Sequence, residues 1–182
     1  APTSLVGNWQ AEAKRFTPEL KVLVYHGSER HVDHFDDYDL VISTYGLIHR
    51  DKEKFVAHTF YYLILDEAQF IKNARTKTTQ IIQQLKAAHR LCLTGTPLEN
   101  HLGELWSLFH FLMPGLLGDA KQFRMWFRTP IEKNADPERR ELLAKRVKPF
   151  MLRRTKNQVA SELPPKTEMT RTIDIAGAQR DL

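Results

Sequence analysis

The sequence predicts an α/β fold in which a parallel sheet with crossover helices is followed by a helical appendage. Three observations predict it. Apolar, β-prone runs alternate with helix-period stretches through residues 1 to 113. One of them, Tyr61-Tyr62-Leu63-Ile64-Leu65, ends abruptly in Asp66-Glu67-Ala68-Gln69. From Met113 to Asn157 no good strand occurs. Five or six β-prone residues read as a strand buried on both faces, found mostly in parallel sheets covered by helices. The acids then sit at its C-terminal edge, where open α/β sheets bind ligands. Two carboxylates there suit metal and proton chemistry; acids also suit the first turn of a helix.

Taken in order, Thr3 or Ser4 can cap a first helix whose apolar positions Leu5, Trp9, Ala13 and Phe16 recur every three or four residues, and Thr17-Pro18 stops it. Lys21–Tyr25 reads as a strand left through the turn His26-Gly27-Ser28, and Asp39–Gly46 as a second strand ending in small and hydroxyl residues. Leu47 to Phe55 is a short helix leading to the strand Tyr61–Leu65. After the loop Lys72-Asn73-Ala74, residues Thr78, Ile81, Ile82 and Leu85 give the stripe of a helix over Arg75 to Leu85. Arg90–Leu93 is a fourth strand with the sharp exit Thr94-Gly95-Thr96-Pro97. In the appendage, Phe123, Trp126 and Phe127 are spaced for a small helical core, and a charged helix runs from Pro137 to Lys148. Thr167 to Ile175 alternates like a further strand.

A chain of 182 residues supports one domain with a proper core. The 27 Lys and Arg against 22 Asp and Glu, net +5, are compatible with a polyanionic partner. The single Cys92 excludes an internal disulfide and a cysteine zinc cluster, and its apolar run marks it as a buried small hydrophobe. No apolar run approaches a membrane span and no signal peptide opens the chain, so an intracellular, soluble protein is expected. The mixed group His31, Asp33, His34, Asp36 and Asp37 reads as a solvated loop and not as a metal site.

Four strand ends carry unusual residues: Pro2-Thr3-Ser4, Ser43-Thr44-Tyr45, Asp66-Glu67-Ala68-Gln69 and Thr94-Gly95-Thr96-Pro97. Hydroxyls and glycines end strands for purely structural reasons, but the four together resemble, in order and spacing, the motifs of the first RecA-like lobe of superfamily 2 helicases, and in particular the Swi/Snf-related branch of DNA-translocating ATPases. Ala1 to Trp9 is similar to motif Ia. Leu65-Asp66-Glu67-Ala68-Gln69 resembles motif II in a DEAQ form, and Leu93 to Asn100 resembles motif III, extended through Leu105-Trp106-Ser107-Leu108. Pro149 to Lys156 and Glu162-Leu163-Pro164-Pro165-Lys166 resemble further hallmarks of that branch.

That resemblance implies a partial RecA-like lobe over residues 1–113, a helical protrusion over 114–160 and a connection over 161–182 toward a second lobe. It implies ATP and Mg²⁺ as cofactors and duplex DNA, alone or within a DNA-bound protein complex, as partner. Asp66 would hold the Mg²⁺, Glu67 would orient or deprotonate the attacking water, and Gln69 would monitor the γ-phosphate or link it to motif III. Thr94, Gly95 and Thr96 would form the coupling turn. Pro2, Thr3, Ser4, Thr44 and Tyr45 would face a DNA phosphate backbone, and Arg153, Arg154 and Lys156 would touch DNA or latch the lobes, the alternative being a solvated basic face. Another superfamily 2 helicase, or a non-catalytic DNA-binding scaffold of the same fold, is the alternative. The phosphate cradle Gly-x-x-x-x-Gly-Lys-Ser/Thr occurs nowhere in the 182 residues, so the expectation is a piece of a longer engine that hydrolyses no ATP alone and, with strand edges unpaired, self-associates.

Overall fold

The computed structural model describes residues 1–27, 35–96 and 98–155, with Gln158 and Met169. The chain divides into two compact units, Ala1–Leu143 and Ala144–Leu182. In the first, helix α1 (Val6–Phe16) precedes strands β1 (Val22–Tyr25) and β2 (Leu40–Ser43), short helices α2 (Tyr45–Arg50) and α3 (Lys52–Ala57), strand β3 (Thr59–Asp66), helix α4 (Lys77–Gln84), strand β4 (Lys86–Leu93) and helix α5 (Leu102–Leu112). Helix α6 (Ala120–Phe123), a π-turn Arg124–Arg128, α7 (Thr129–Asn134) and α8 (Pro137–Val147) come next. Among the described residues no helix is long and apolar enough to cross a membrane.

β1, β2 and β3 are rich in β-branched or aromatic residues whereas β4 has no Val, Ile, Thr, Tyr, Phe or Trp, and among the described residues the strands form two parallel pairs, β1 with β2 and β3 with β4. Register fixes which residues meet at the sheet edge. Tyr25 lies opposite Ser43, so the chain leaves both strands of the first pair at one level. Asp66 lies opposite Leu93, which brings Glu67–Gln69 and Thr94 out side by side at the C-terminal edge of the second pair. One core cluster joins Tyr45, Leu65, Ala68, Ile71, Ile82, Leu108 and Phe111; another joins Tyr25, Phe35, Leu47, Phe55 and Leu85. Leu63 and Ile48 pack against both, so β3 and α2 tie the two pairs together.

Several expectations need correction. β3 is not buried on both faces: on one face Tyr62 is 54% and Ile64 45% exposed, while on the other Leu65 is buried and Tyr61, near the start of the strand, is exposed at 73%. Neither Thr3 nor Ser4 caps α1 through its side chain. Residues Thr3–Leu5 instead form a 3-10 turn in which the Leu5 N–H bonds the Pro2 carbonyl, so backbone takes over the role of the cap. Phe16 leaves the packed stripe at the last turn and lies beneath the Arg15 guanidinium, 5.0 Å from its ring centre. Helix 47–55 is two helices, broken at Asp51, whose carboxylate accepts the Tyr25 hydroxyl at 3.1 Å. Helix α4 starts at Lys77 because Thr76 caps it, accepting the Thr79 N–H at 3.2 Å, and Thr79 rather than Thr78 is fully buried.

Other expectations hold. The Thr17 hydroxyl and N–H both return to the Ala13 carbonyl and end α1. Phe123 and Phe127 are buried 5.7 Å apart as the small helical core, with Trp126 at its exposed margin. The region after Pro114 is tied to α5 by the Trp106 indole, which donates to the Gly118 carbonyl at 3.1 Å, and by Glu132, which accepts the Leu102 N–H at 2.7 Å. In the second unit, the end of α8 leads through a 3-10 turn, Lys148–Phe150, into the exposed residues Met151–Thr155. The strand expected over Thr167 to Ile175 and the connection over 161–182 lie outside the described residues, Met169 apart.

Candidate functional site at the sheet edge

β3 ends in a sharp reversal. Glu67 adopts φ 50°, ψ 53°, a left-handed conformation unusual for a residue with a Cβ. The turn is held from below by Ala68 and Ile71, both fully buried, in the 3-10 turn Ala68–Ile71. Ser107 of α5 fastens that turn, its hydroxyl donating to the Ile71 carbonyl at 2.5 Å. Asp66 is gripped on three sides. Its Oδ2 accepts the Trp9 indole N–H at 2.7 Å, its Oδ1 accepts the Glu67 N–H at 2.9 Å, and its carbonyl accepts the Tyr45 hydroxyl at 2.7 Å.

From Glu67 a continuous polar run crosses to the next strand exit. Gln69 Nε2 donates to the Glu67 carboxylate at 2.6 Å, and Gln69 Oε1 accepts the Thr94 hydroxyl at 2.8 Å. Thr94 Oγ1 in turn accepts the Thr96 N–H at 3.1 Å, and the Thr96 hydroxyl donates to Glu99 at 2.8 Å. Gly95 sits exposed between them. Glu99 also receives the Lys72 ammonium, which lies 3.6 Å from Glu104. That bond holds the Lys72 ammonium above its usual range and the Glu99 carboxyl below its own.

Glu104, 4% exposed, is the anchor of this loop. It accepts the backbone N–H groups of Glu99 and Asn100 and the Asn100 side-chain amide, at 2.9 to 3.0 Å. Burial pushes its carboxyl up, but those bonds, first that of the Asn100 N–H, and the nearby Lys72 outweigh it and hold it at about 2. Sequence reasoning did not single out Lys72, Glu99 or Glu104 as site residues. The signal was there: one acid at position 104 interrupts an otherwise apolar helical stripe.

At the edge of the first strand pair, Thr3 and Thr44 line one cleft of about 520 Å³ with His26, Gly27, Gly46 and Arg50. Two residues expected to face a phosphate backbone thus line one cleft, Thr3 exposed but Thr44 buried at 5% exposure, while Pro2 is half-buried and Ser4 exposed. Tyr45 needs correction. It is 8% exposed, its ring stacks on Phe70 at 4.9 Å and its hydroxyl is used by Asp66, so its side chain faces the interior and not a phosphate. Burial, with the nearby Cys92, Asp66 and Glu67, pushes that hydroxyl well above the usual tyrosine range. Arg153 and Arg154 are exposed in the second unit, and Lys156 lies outside the described residues.

Asp66 and Glu67 offer hard oxygen donors and retain lone pairs beyond the bonds described. No group of three or more His, Cys, Asp or Glu able to hold a metal occurs among the described residues. A donor set this sparse fits Mg²⁺, which binds through one or two carboxylates while keeping water and phosphate oxygens, and does not fit a metal that needs an all-protein cage. Asp36 and Asp37 are exposed, Asp36 3.8 Å from His58, and the rest of that acid and histidine group lies outside the described residues. Cys92 is partly rather than fully buried, packing against the core around Tyr45, and burial pushes its thiol up to about 12.

The model of the SNF2-related domain family matches residues 1–182. The chain is 42% identical, over its whole length, to the Bacillus subtilis protein YwqA, named as a candidate ATP-dependent helicase/translocase, of which it spans 20%. It is 36% identical, over 99% of its length, to human SWI/SNF-related matrix-associated actin-dependent regulator of chromatin subfamily A member 1, of which it spans 18%. Among solved structures, the Sulfolobus solfataricus SWI2/SNF2 ATPase core in complex with double-stranded DNA superposes with a TM-score of 0.81 at 40% identity, over 87% of this chain and 33% of that one.

Proposed function

Because the chain belongs to the SNF2-related domain family, with the RecA-like α/β fold of its ATPase core, we propose that it is part of an ATP-driven motor that moves on duplex DNA. The observation that carries this reading is the unbroken run Glu67–Gln69–Thr94 at the edge of β3 and β4. A carboxylate placed to handle a proton is there joined to a second loop, which a merely structural turn does not require.

In this motor Asp66 would hold Mg²⁺, which when bound would supply charge neutralisation at the phosphates. Glu67, projected by its left-handed turn, orients the attacking water and takes up its proton. Gln69 reads whether Glu67 is engaged and passes that state to Thr94. The loop anchored by Glu99, Lys72 and Glu104 then moves as a unit. Thr3 and Arg50, the exposed residues of the cleft that the buried Thr44 also lines, contact the phosphate backbone of DNA, a sequence-blind contact suited to translocation. No Gly-x-x-x-x-Gly-Lys-Ser/Thr phosphate cradle occurs in residues 1–182, so these residues alone are expected to turn over no ATP.

The test is ATP hydrolysis by the intact protein with duplex DNA, with RNA and with neither. Stimulation by duplex DNA, abolished in Glu67→Gln, is the expected result. Stimulation by RNA alone, or turnover unchanged in Glu67→Gln, would overturn it.

A further inference from the structure

Both walls of the cleft lead to Asp66. Thr3 belongs to the turn that runs directly into α1, and six residues later Trp9 donates its indole N–H to Asp66 Oδ2 at 2.7 Å. Thr44 is followed at once by Tyr45, whose hydroxyl donates to the Asp66 carbonyl at 2.7 Å. An indole N–H is a donor only, so Trp9 makes this bond because a carboxylate is there to accept it. With Oδ1 taken by the Glu67 N–H, the orientation of the Asp66 carboxylate is set from α1 on one side and from its own turn on the other.

We propose that Trp9 and Tyr45 are positioning residues that carry the occupancy of the cleft to Asp66. A phosphate backbone seated against Thr3 and Thr44 displaces the start of α1 and of α2, and each displacement reaches Asp66 through one hydrogen bond. The carboxylate is brought into the orientation that holds Mg²⁺ only when both walls are engaged. This rests on the motor reading and adds to it a route by which DNA switches the site on, separate from the Gln69–Thr94 run, which lies on the other side of Glu67.

The experiment uses the intact protein labelled with 5-fluorotryptophan, the Trp9 ¹⁹F resonance being identified by its loss in Trp9→Phe. Duplex DNA, added without nucleotide, is expected to shift that resonance, and Mg²⁺–ADP to shift it further. Tyr45→Phe keeps the ring on Phe70 and removes only the hydroxyl. It is expected to lower the ratio of DNA-stimulated to basal turnover roughly three- to tenfold, the scale of one hydrogen bond to a neutral carbonyl. A Trp9 resonance that stays still while fluorescence anisotropy shows DNA bound, or an unchanged ratio in Tyr45→Phe, overturns this proposal alone. A wild-type protein with no DNA-stimulated turnover overturns the motor reading and this proposal with it.

Discussion

Gln69 donates its side-chain amide to the Glu67 carboxylate at 2.6 Å. The same amide group accepts the Thr94 hydroxyl, so one side chain serves as donor to one loop and acceptor to the other. Gln69→Glu keeps the size but replaces the donor with a second carboxylate beside Glu67. In the intact protein kcat for ATP is expected to fall roughly 10- to 100-fold, with KM changed far less, because the bond positions a proton acceptor and does not bind substrate. Steady-state ATPase assays check this, and an equal loss in KM with kcat intact would contradict it.

Glu104 makes acid stability depend on the motif loop. Its carboxyl is held at about 2, below the 4.5 of an unstructured glutamate. A depressed folded pKa contributes stability that is fully present above about 4.5 and is lost as pH falls toward 2. Glu104→Gln removes the effect, so the gap in melting temperature between wild type and variant is expected to be wide at neutral pH and to close on acidification through that window. A gap independent of pH would show that the carboxylate charge does nothing there.

Where periodicity and turn chemistry act locally, the fold is legible in the sequence: β3 and β4 end at the polar turns Asp66-Glu67 and Thr94-Gly95 and Thr17 stops α1, whereas β2 ends at Ser43, short of the expected Gly46, because Tyr45 already starts α2. The Asp66–Thr94 neighbourhood was legible because strand ends in a parallel sheet share an edge. What could not be read was set by tertiary packing. The exposure of Tyr61 and Tyr62 depends on which elements cover β3 and not on its composition. Tyr45 looks like any hydroxyl at a strand end until α2 turns its ring inward. The Trp9 bond to Asp66 spans 57 residues, beyond any local pattern.

Ser107 is a polar residue with no exposure, and its hydroxyl is the partner of the Ile71 carbonyl at the base of the Glu67 turn. Ser107→Ala leaves that carbonyl buried without this bond. The expected cost is about 1–3 kcal/mol, read as a lower denaturation midpoint of the intact protein, with faster amide exchange concentrated in residues 67–72. A uniform rise in exchange across all helices would argue that the bond does not serve the turn in particular.

Arg50 stands at the cleft with Thr3 and Thr44, where Gly27 and Gly46 leave room for a backbone to approach. A cation that neutralises one phosphate releases about one condensed counterion. Its removal should therefore weaken binding to every sequence alike and reduce the slope of log affinity against log salt by roughly one. Arg50→Ala in the intact protein is expected to show both effects in anisotropy titrations at several salt concentrations, and Arg50→Lys to keep the slope. Thr3→Ala removes a neutral hydroxyl, so it should weaken binding and leave the slope untouched. If Arg50→Ala lost affinity for some duplex sequences and not others, Arg50 would be reading bases; if the slope stayed the same, the phosphates would run elsewhere.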